Sequence, residues 1–257
     1  MAAAPEPDQI YRATREEGRR RLSRPIPELG ATALVGGFDV AFGIAAYALA
    51  ANTVGGTVGH LVGAVAFGTG FVFIVVGRSE LFTENFLIPV AGLERGKLES
   101  WLKLAELWAV ALVLNIVGGV LLTVILTSEG VLRSGADRPL IDLAEHVAGY
   151  STLTAFLSAI VAGALMTLMT WFVEGAADSL GVRIVMAWVT GALIVLGTFN
   201  HAIVSTIELV FGMRYGADVD VGQLLSNLGL AVSGNLVGGL LFVTFVRTIQ
   251  AAEGARE

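Results

Sequence analysis

Cysteine is absent from the 257 residues, which excludes disulfides, thiolate nucleophiles and cysteine-ligated metals. Charge is also scarce. Asp, Glu, Lys and Arg make up 15% of the chain, where an average soluble domain carries roughly 25%. Histidine occurs three times, and His60 and His146 stand at no metal-ligand spacing from His201. The chain has no His-Glu-x-x-His, Gly-x-Gly-Asp, Gly-x-Ser-x-Gly or Walker lysine loop, so nothing marks an enzyme or a cofactor-binding protein. The net charge of −6 offers no basic footprint for nucleic acid. What fills the chain instead is apolar: 55% of residues are hydrophobic and the mean hydropathy is +0.76.

That composition is that of an integral membrane protein. At about 1.5 Å rise per residue, a ~30 Å hydrocarbon core takes about 20 residues to cross. Apolar runs fall near 30–52, 57–76 continuing to about 92, 101–127, 149–173, 182–212 and 223–248, which predicts six membrane helices. The expected layout is an N-terminal tail over 1–29, a membrane domain over 30–248 and a short tail over 249–257. The first tail holds Arg12, Arg15, Arg19, Arg20, Arg21 and Arg24, lacks the apolar core of a signal peptide, and reads as helical from Gln9 to Leu22, lying on the membrane surface. With that tail inside, twelve Lys and Arg fall on inner segments and three on outer ones, so both termini are expected in the cytoplasm of a bacterial inner membrane. The polar stretch Ser128–Tyr150 is then an outer, partly ordered connection.

Two of the six runs are interrupted. Gly77-Arg78-Ser79-Glu80-Leu81-Phe82-Thr83-Glu84-Asn85 breaks the second, and Gly197-Thr198-Phe199-Asn200-His201 breaks the fifth, 120 residues later. The same offset relates Gly43 to Gly163, Asn115 to Asn235, and Gly118-Gly119 to Gly238-Gly239. We read two three-helix repeats. An odd number of crossings inverts the second repeat, and a site is expected where the two broken helices meet near the midplane. Non-helical backbone survives at that depth only when it faces protein or a water-filled cavity. The glycine pairs Gly59/Gly63 and Gly234/Gly238, four apart, fit close helix packing.

His201 is the only histidine deep in an apolar run. It can donate a hydrogen bond to an anion or relay a proton; a neutral histidine bonding backbone freed by the break would fit the same sequence. Asp39, Glu80, Glu84, Glu208 and Arg78 also fall at membrane depth, where an unpaired charge costs about 2.5–3.5 kcal/mol. A network of Arg78, Glu84 and Glu208 is expected to brace the breaks, with Asp39 beside a break or on the path. Leu81, Phe82 and Phe199 are candidate constrictions, with the Thr83 hydroxyl beside them and Asn200 preceding the histidine. Trp101, Trp108, Trp171 and Trp188 suit interface anchoring.

Glu80-Leu81-Phe82-Thr83 in the second run, Gly-Thr-Phe-Asn-His201 in the fifth and Gly234-Asn235-Leu236-Val237-Gly238-Gly239 in the sixth resemble the formate/nitrite transporter family over about residues 30–248. The resemblance implies an all-α, aquaporin-like fold assembled as a homopentamer, with a path through each protomer for formate, nitrite, hydrosulfide or a related small monovalent anion. It implies that His201 is the central pore histidine, that Leu81 and Phe82 form a constriction, and that Thr83 hydrogen-bonds to the histidine. The chain also departs from the family. Ser205 stands where an asparagine commonly follows the histidine, Asn200 replaces an acid, and Gly163 replaces an asparagine of the fourth helix. No lysine is found near the outer start of that helix, and Arg78, Glu84, Glu208 and Asp39 are additions. The expected function is therefore a channel or proton-coupled transporter for a small anion. The acids keep open an acid-lined pore for a neutral solute or cation, and also a non-conducting scaffold braced shut.

Overall fold

The structure, a computed structural model, describes residues 5–254 and is all-helical over them. Five helices are long and apolar enough to cross a membrane: α2 (Ile26–Val54), α3 (Gly56–Gly77), α5 (Leu98–Leu126), α7 (Thr152–Gly175), and the continuous rod of α10 (Val221–Val237), a π-helical stretch (Gly238–Phe245) and α11 (Val246–Gly254). Two shorter pieces, α8 (Leu180–Leu196) and α9 (Ala202–Arg214), flank the second break. The first break is followed by a 3-10 turn (Phe82–Phe86) and one helical turn, α4 (Ile88–Gly92). Thus the sixth crossing is assembled from two halves.

Local chemistry sets the helix ends. The Ser151 hydroxyl accepts from Thr154 N–H at the start of α7, and Asp220 and Gln223 form a reciprocal cap on α10. Helix α1 (Pro7–Leu22) has proline in its first turn and Arg19, Arg20 and Arg21 in its last, which suits the helix dipole. Rather than standing apart on a membrane surface, α1 docks on the membrane domain. Gly18 lies so close to Ile88 O and Gly92 N that a Cβ there would overlap them. The polar stretch after α5 contains α6 (Asp137–Ala148), whose Leu140, Leu143, Ala144 and Val147 are buried.

The repeats are visible bond by bond. Asn115 Oδ1 accepts from Phe82 N–H at 2.8 Å, and Asn235 Oδ1 accepts from Ala202 N–H at 2.8 Å. The Asn115 amide donates to Glu80 O, and that of Asn235 to Asn200 O. Arg78 and Thr198 both take positive φ, 55° and 48°, and the next residue in each case donates back to the helix, Ser79 to Ile74 O and Phe199 to Ile194 O. Each of these pairs obeys the 120-residue offset.

Gly163 does not pair with Gly43. Its close neighbour is the Asn235 backbone, just as the close neighbour of Gly37 is the Asn115 backbone, and a Cβ at either would overlap the asparagine's carbonyl. The asparagines likewise donate to Ala33 O and Ala159 O. The first helices of the repeats are therefore related by 126 residues, because the second repeat is six residues shorter between that helix and its break.

The outside of the bundle stays apolar. Val117, Leu121, Val124 and Ile125 of α5, and Leu241, Phe242 and Phe245 of the π-helical stretch, are exposed. The four tryptophans divide. Trp101 is exposed at a helix start, whereas Trp108 donates to Asn85 O, Trp171 is buried under Arg247, and Trp188 donates to Val65 O. Trp101 and Trp188 are exposed enough for the expected anchoring role, whereas Trp108 and Trp171 are drawn into the protein.

Candidate functional site

The two breaks meet at His201, which is 0% exposed. His201 is the N-cap of α9. Its Nδ1 accepts from Ile203 N–H at 3.3 Å and from Val204 N–H at 3.1 Å, and Ser205 Oγ accepts from its own N–H. A proton on Nδ1 would face two N–H donors, so the ring is the neutral tautomer with its proton on Nε2. Nε2 lies 2.7 Å from Thr83 Oγ1 across the break, so the imidazole donates and the threonine hydroxyl accepts. That leaves the hydroxyl proton free to turn elsewhere.

Apolar side chains enclose this pair. Leu81 and Phe82 are buried, Phe82 meets Phe86 edge-on, and the Phe71 ring sits 6.2 Å from His201. Phe71 completes the enclosure from α3, a position that nothing in the sequence distinguishes from helix packing. Phe199 is half-buried, with its ring against Gly197. By the repeat, Leu81 is the counterpart of His201. Leucine cannot cap, so Thr83 N–H, the counterpart of Ile203 N–H, bonds no acceptor among the described residues.

Two cavities lie at opposite ends of α3, with His201 and Thr83 between them. One, of about 190 Å³, is lined by Arg20, Arg21, Arg24, Arg78, Arg183 and four acids. The other, of about 480 Å³, is lined by Tyr47, His60, Arg138, Asp142, His146 and Thr198 beneath α6.

The charged groups sort differently from the expected network. No ion pair joins Arg78 to Glu84 or Glu208 among the described residues; Arg78 is exposed at the α1-end cavity. The cations that reach the first break come from α1 and the link that follows it. Arg21 pairs with Glu80 at 2.9 Å and also donates to Asn85 Oδ1, and Arg24 pairs with the other Glu80 oxygen. Glu80 is 1% exposed and needs both. Arg21 is buried, which would lower its pKa, but the Glu80, Glu84, Glu17 and Glu174 charges outweigh that and raise it.

Glu84 is buried in the 3-10 turn at the α1 end of the break, and Glu208 is buried in α9. Asp39 accepts from Ser79 Oγ at the first break. Asn200, the counterpart of Glu80, is held by a reciprocal amide pair with Asn227 and by Ala155 O. Sequence reasoning missed the roles of Arg21, Arg24 and Asn227. The signal for the arginines was Glu80, an acid at membrane depth with no helical-spaced cation.

Two inverted three-helix repeats whose breaks meet at a buried histidine define a membrane transport protein of the channel type. The model of the family described as "Formate/nitrite transporter" matches residues 8–249, and the chain belongs to that family. Among relatives, it is 26% identical over 249 residues to the uncharacterized transporter YrhG of Bacillus subtilis (strain 168), across 94% of this chain and 91% of that protein. It is 24% identical over 234 residues to the inner membrane protein YfdC of Escherichia coli (strain K12), across 90% of this chain and 74% of that one. Two solved structures share the fold. A pentameric formate channel with formate bound matches at TM-score 0.73 and 22% identity, over 87% of this chain and 96% of that one. An FNT family ion channel matches at TM-score 0.78 and 16% identity, over 92% and 96%.

Proposed function

We propose that the chain is a channel or proton-coupled transporter for a small monovalent anion such as formate or nitrite, assembled as a homopentamer in a bacterial inner membrane with both termini cytoplasmic. The observation that carries this reading is the His201–Thr83 pair, a fully buried donor couple at the meeting of two broken helices, with a polar cavity on either side. Family membership supports the cargo class, the exposed apolar faces suit lipid and neighbouring protomers, and the Lys and Arg asymmetry supports the orientation.

In this mechanism an anion leaves one cavity, loses water between Leu81, Phe82, Phe71 and Phe199, and meets the hydroxyl and backbone N–H of Thr83, whose hydroxyl oxygen is held by His201 Nε2–H. Desolvation favours the neutral acid form of a weak-acid anion, so a proton delivered there lets the cargo pass uncharged. His201 orients the cargo and the Thr83 hydroxyl, and the apolar ring limits size and water. The deciding experiment is flux of formate, nitrite and neutral solutes into proteoliposomes at acidic and neutral pH. Saturable anion flux that falls at least tenfold in His201→Phe and Thr83→Val is expected. Flux unchanged in a folded His201→Phe pentamer overturns the site, and flux of neutral solutes only overturns the cargo.

A further inference from the structure

His201 as held here is a poor proton carrier, because its Nδ1 is committed to two backbone donors and its Nε2–H to Thr83. The proton for a coupled step has to come from another group. We infer that Glu208 carries it, between His201 and the α6-end cavity.

Residues 201, 205, 208 and 212 recur at spacings of four, three and four, so His201, Ser205, Glu208 and Gly212 share one face of α9. One end of that face is the histidine. At the other, a Cβ on Gly212 would meet Ala144 Cβ and Leu140 O of α6, the helix that covers the larger cavity. Glu208 lies between, 4% exposed, among Ile207, Leu209 and Phe211, which are all fully buried.

Glu208 has neither an ion-pair partner nor a side-chain hydrogen bond among the described residues. In contrast, Glu80 holds two arginines and Asp39 a serine. The titratable groups on the elements packed against α9 are phenols, acids, histidines and the cations Lys103 of α5 and Arg138 of α6, none of them bonded to Glu208 among the described residues. Tyr47 of α2 and Tyr150 after α6 lie within electrostatic reach of Glu208 once it is ionised. Tyr47 bonds His60 Nδ1 at 3.0 Å and lines the cavity with His146, Asp142 and Arg138. Tyr150 donates to Thr198 O, and burial raises its pKa.

A carboxyl that braces a fold is bonded to what it braces, and this one is not. With no cation beside it, it rests as the neutral acid, since an isolated buried carboxylate is costly. The step balances when the anion passes Glu208 on its way between the α6-end cavity and His201: the Glu208 O–H bond breaks as an O–H bond forms on the anion, giving a neutral acid and a carboxylate. The carboxylate then regains a proton from water in the α6-end cavity. Chloride-like anions, which no carboxyl can protonate, would gain nothing from it.

This rests on the anion-path reading above, and one experiment separates the two. Formate uptake and internal pH are recorded together in proteoliposomes holding the full-length pentamer, wild type, Glu208→Gln and Glu208→Asp. The expected result is formate and protons entering together in wild type, at least a tenfold fall in protons per formate in Glu208→Gln, and recovery in Glu208→Asp. Wild type moving no formate overturns the anion path and this inference with it. Wild type and Glu208→Gln moving equal protons per formate overturns this inference alone. Should Glu208→Gln fail to assemble, infrared difference spectra of wild type decide: formate addition must reduce the protonated-carboxyl band, with Glu208→Asp shifting it, and an unchanged band overturns the assignment.

Discussion

Replacing Asn115 or Asn235 by alanine should destabilise the protein by nearly equal amounts. Each side chain is completely buried and makes three bonds, two donated and one accepted. Alanine at 115 leaves Glu80 O and Phe82 N–H without partners, because neither has another acceptor or donor, while Ala33 O keeps its helical bond. Orphaned buried groups cost about 1–3 kcal/mol each, whereas hydrogen bonds within membrane bundles average only about 0.6 kcal/mol. Three bonds at the lower figure give about 2 kcal/mol, and two orphaned groups at the middle of the higher range give about 4 kcal/mol, so we expect about 2–4 kcal/mol from either asparagine. The assay is reversible unfolding in mixed micelles, with amide hydrogen exchange at Phe82 and Ala202 as the local readout. Asn227→Ala is the control, since it removes the reciprocal pair with Asn200 and leaves both break amides bonded. A loss under about 0.5 kcal/mol, no more than a surface substitution gives, or a loss confined to one of the two asparagines, would refute the claim that these residues hold the breaks.

Three further predictions follow from the packing and charge. Arg21→Ala and Arg24→Ala should each strongly destabilise the first break by leaving Glu80 underpaired, and Glu80→Gln should relieve much of that loss; a double-mutant cycle of unfolding free energies that shows no coupling would rule this out. Gly163→Leu should abolish the folded protein's peak on size-exclusion chromatography because its side chain would enter the Asn235 backbone, while Gly77→Ala, with open space around it, should elute as wild type. Burial alone would raise the Glu17 pKa, but Arg20 and Arg21 hold it below its ordinary 4.5. Its contribution to holding the arginines at the end of α1 is therefore present above that value and lost as pH falls through the folded pKa, so limited proteolysis between α1 and α2 should accelerate as the pH falls below 4.5 in wild type, with Glu17→Gln showing fast cleavage already at neutral pH.

The membrane fold and the paired breaks were legible because each leaves a one-dimensional trace, whereas the bond between His201 and Thr83 was expected only from the family resemblance. Apolar runs must match the bilayer, and a glycine-and-polar interruption at depth must be functional or buried in protein. Asn115 and Asn235 repeat at a fixed spacing because they do the same work in both halves. The Gly163 match misled because one glycine in a glycine-rich chain carries no register, and its contact with Asn235, with the bonds from the asparagines to Ala33 O and Ala159 O, shows that the first helices are shifted by six residues. Arg21 and Arg24 were hidden for a different reason. They lie 59 and 56 residues from Glu80 in a stretch whose composition is that of a solvated tail, and sequence periodicity says nothing about which surface an amphipathic helix finds.

The symmetry of the repeats makes one chemical asymmetry between them informative. Position 201 is a histidine and its counterpart 81 a leucine. In the second repeat the imidazole satisfies the first N–H groups of α9 and turns its remaining proton toward Thr83, while in the first repeat the matching N–H of Thr83 stays open. The donors free to meet cargo therefore concentrate on one residue, Thr83, through its hydroxyl and its backbone. Substituting Thr83 by serine should preserve flux, because both donors remain. Valine keeps the volume and the backbone N–H but removes the hydroxyl, and alanine removes volume as well. If anion flux ranks serine near wild type with valine and alanine both at least tenfold lower, the hydroxyl is the recognising group. If valine conducts as well as serine, the backbone N–H and His201 suffice, and the 2.7 Å bond across the breaks only positions the ring.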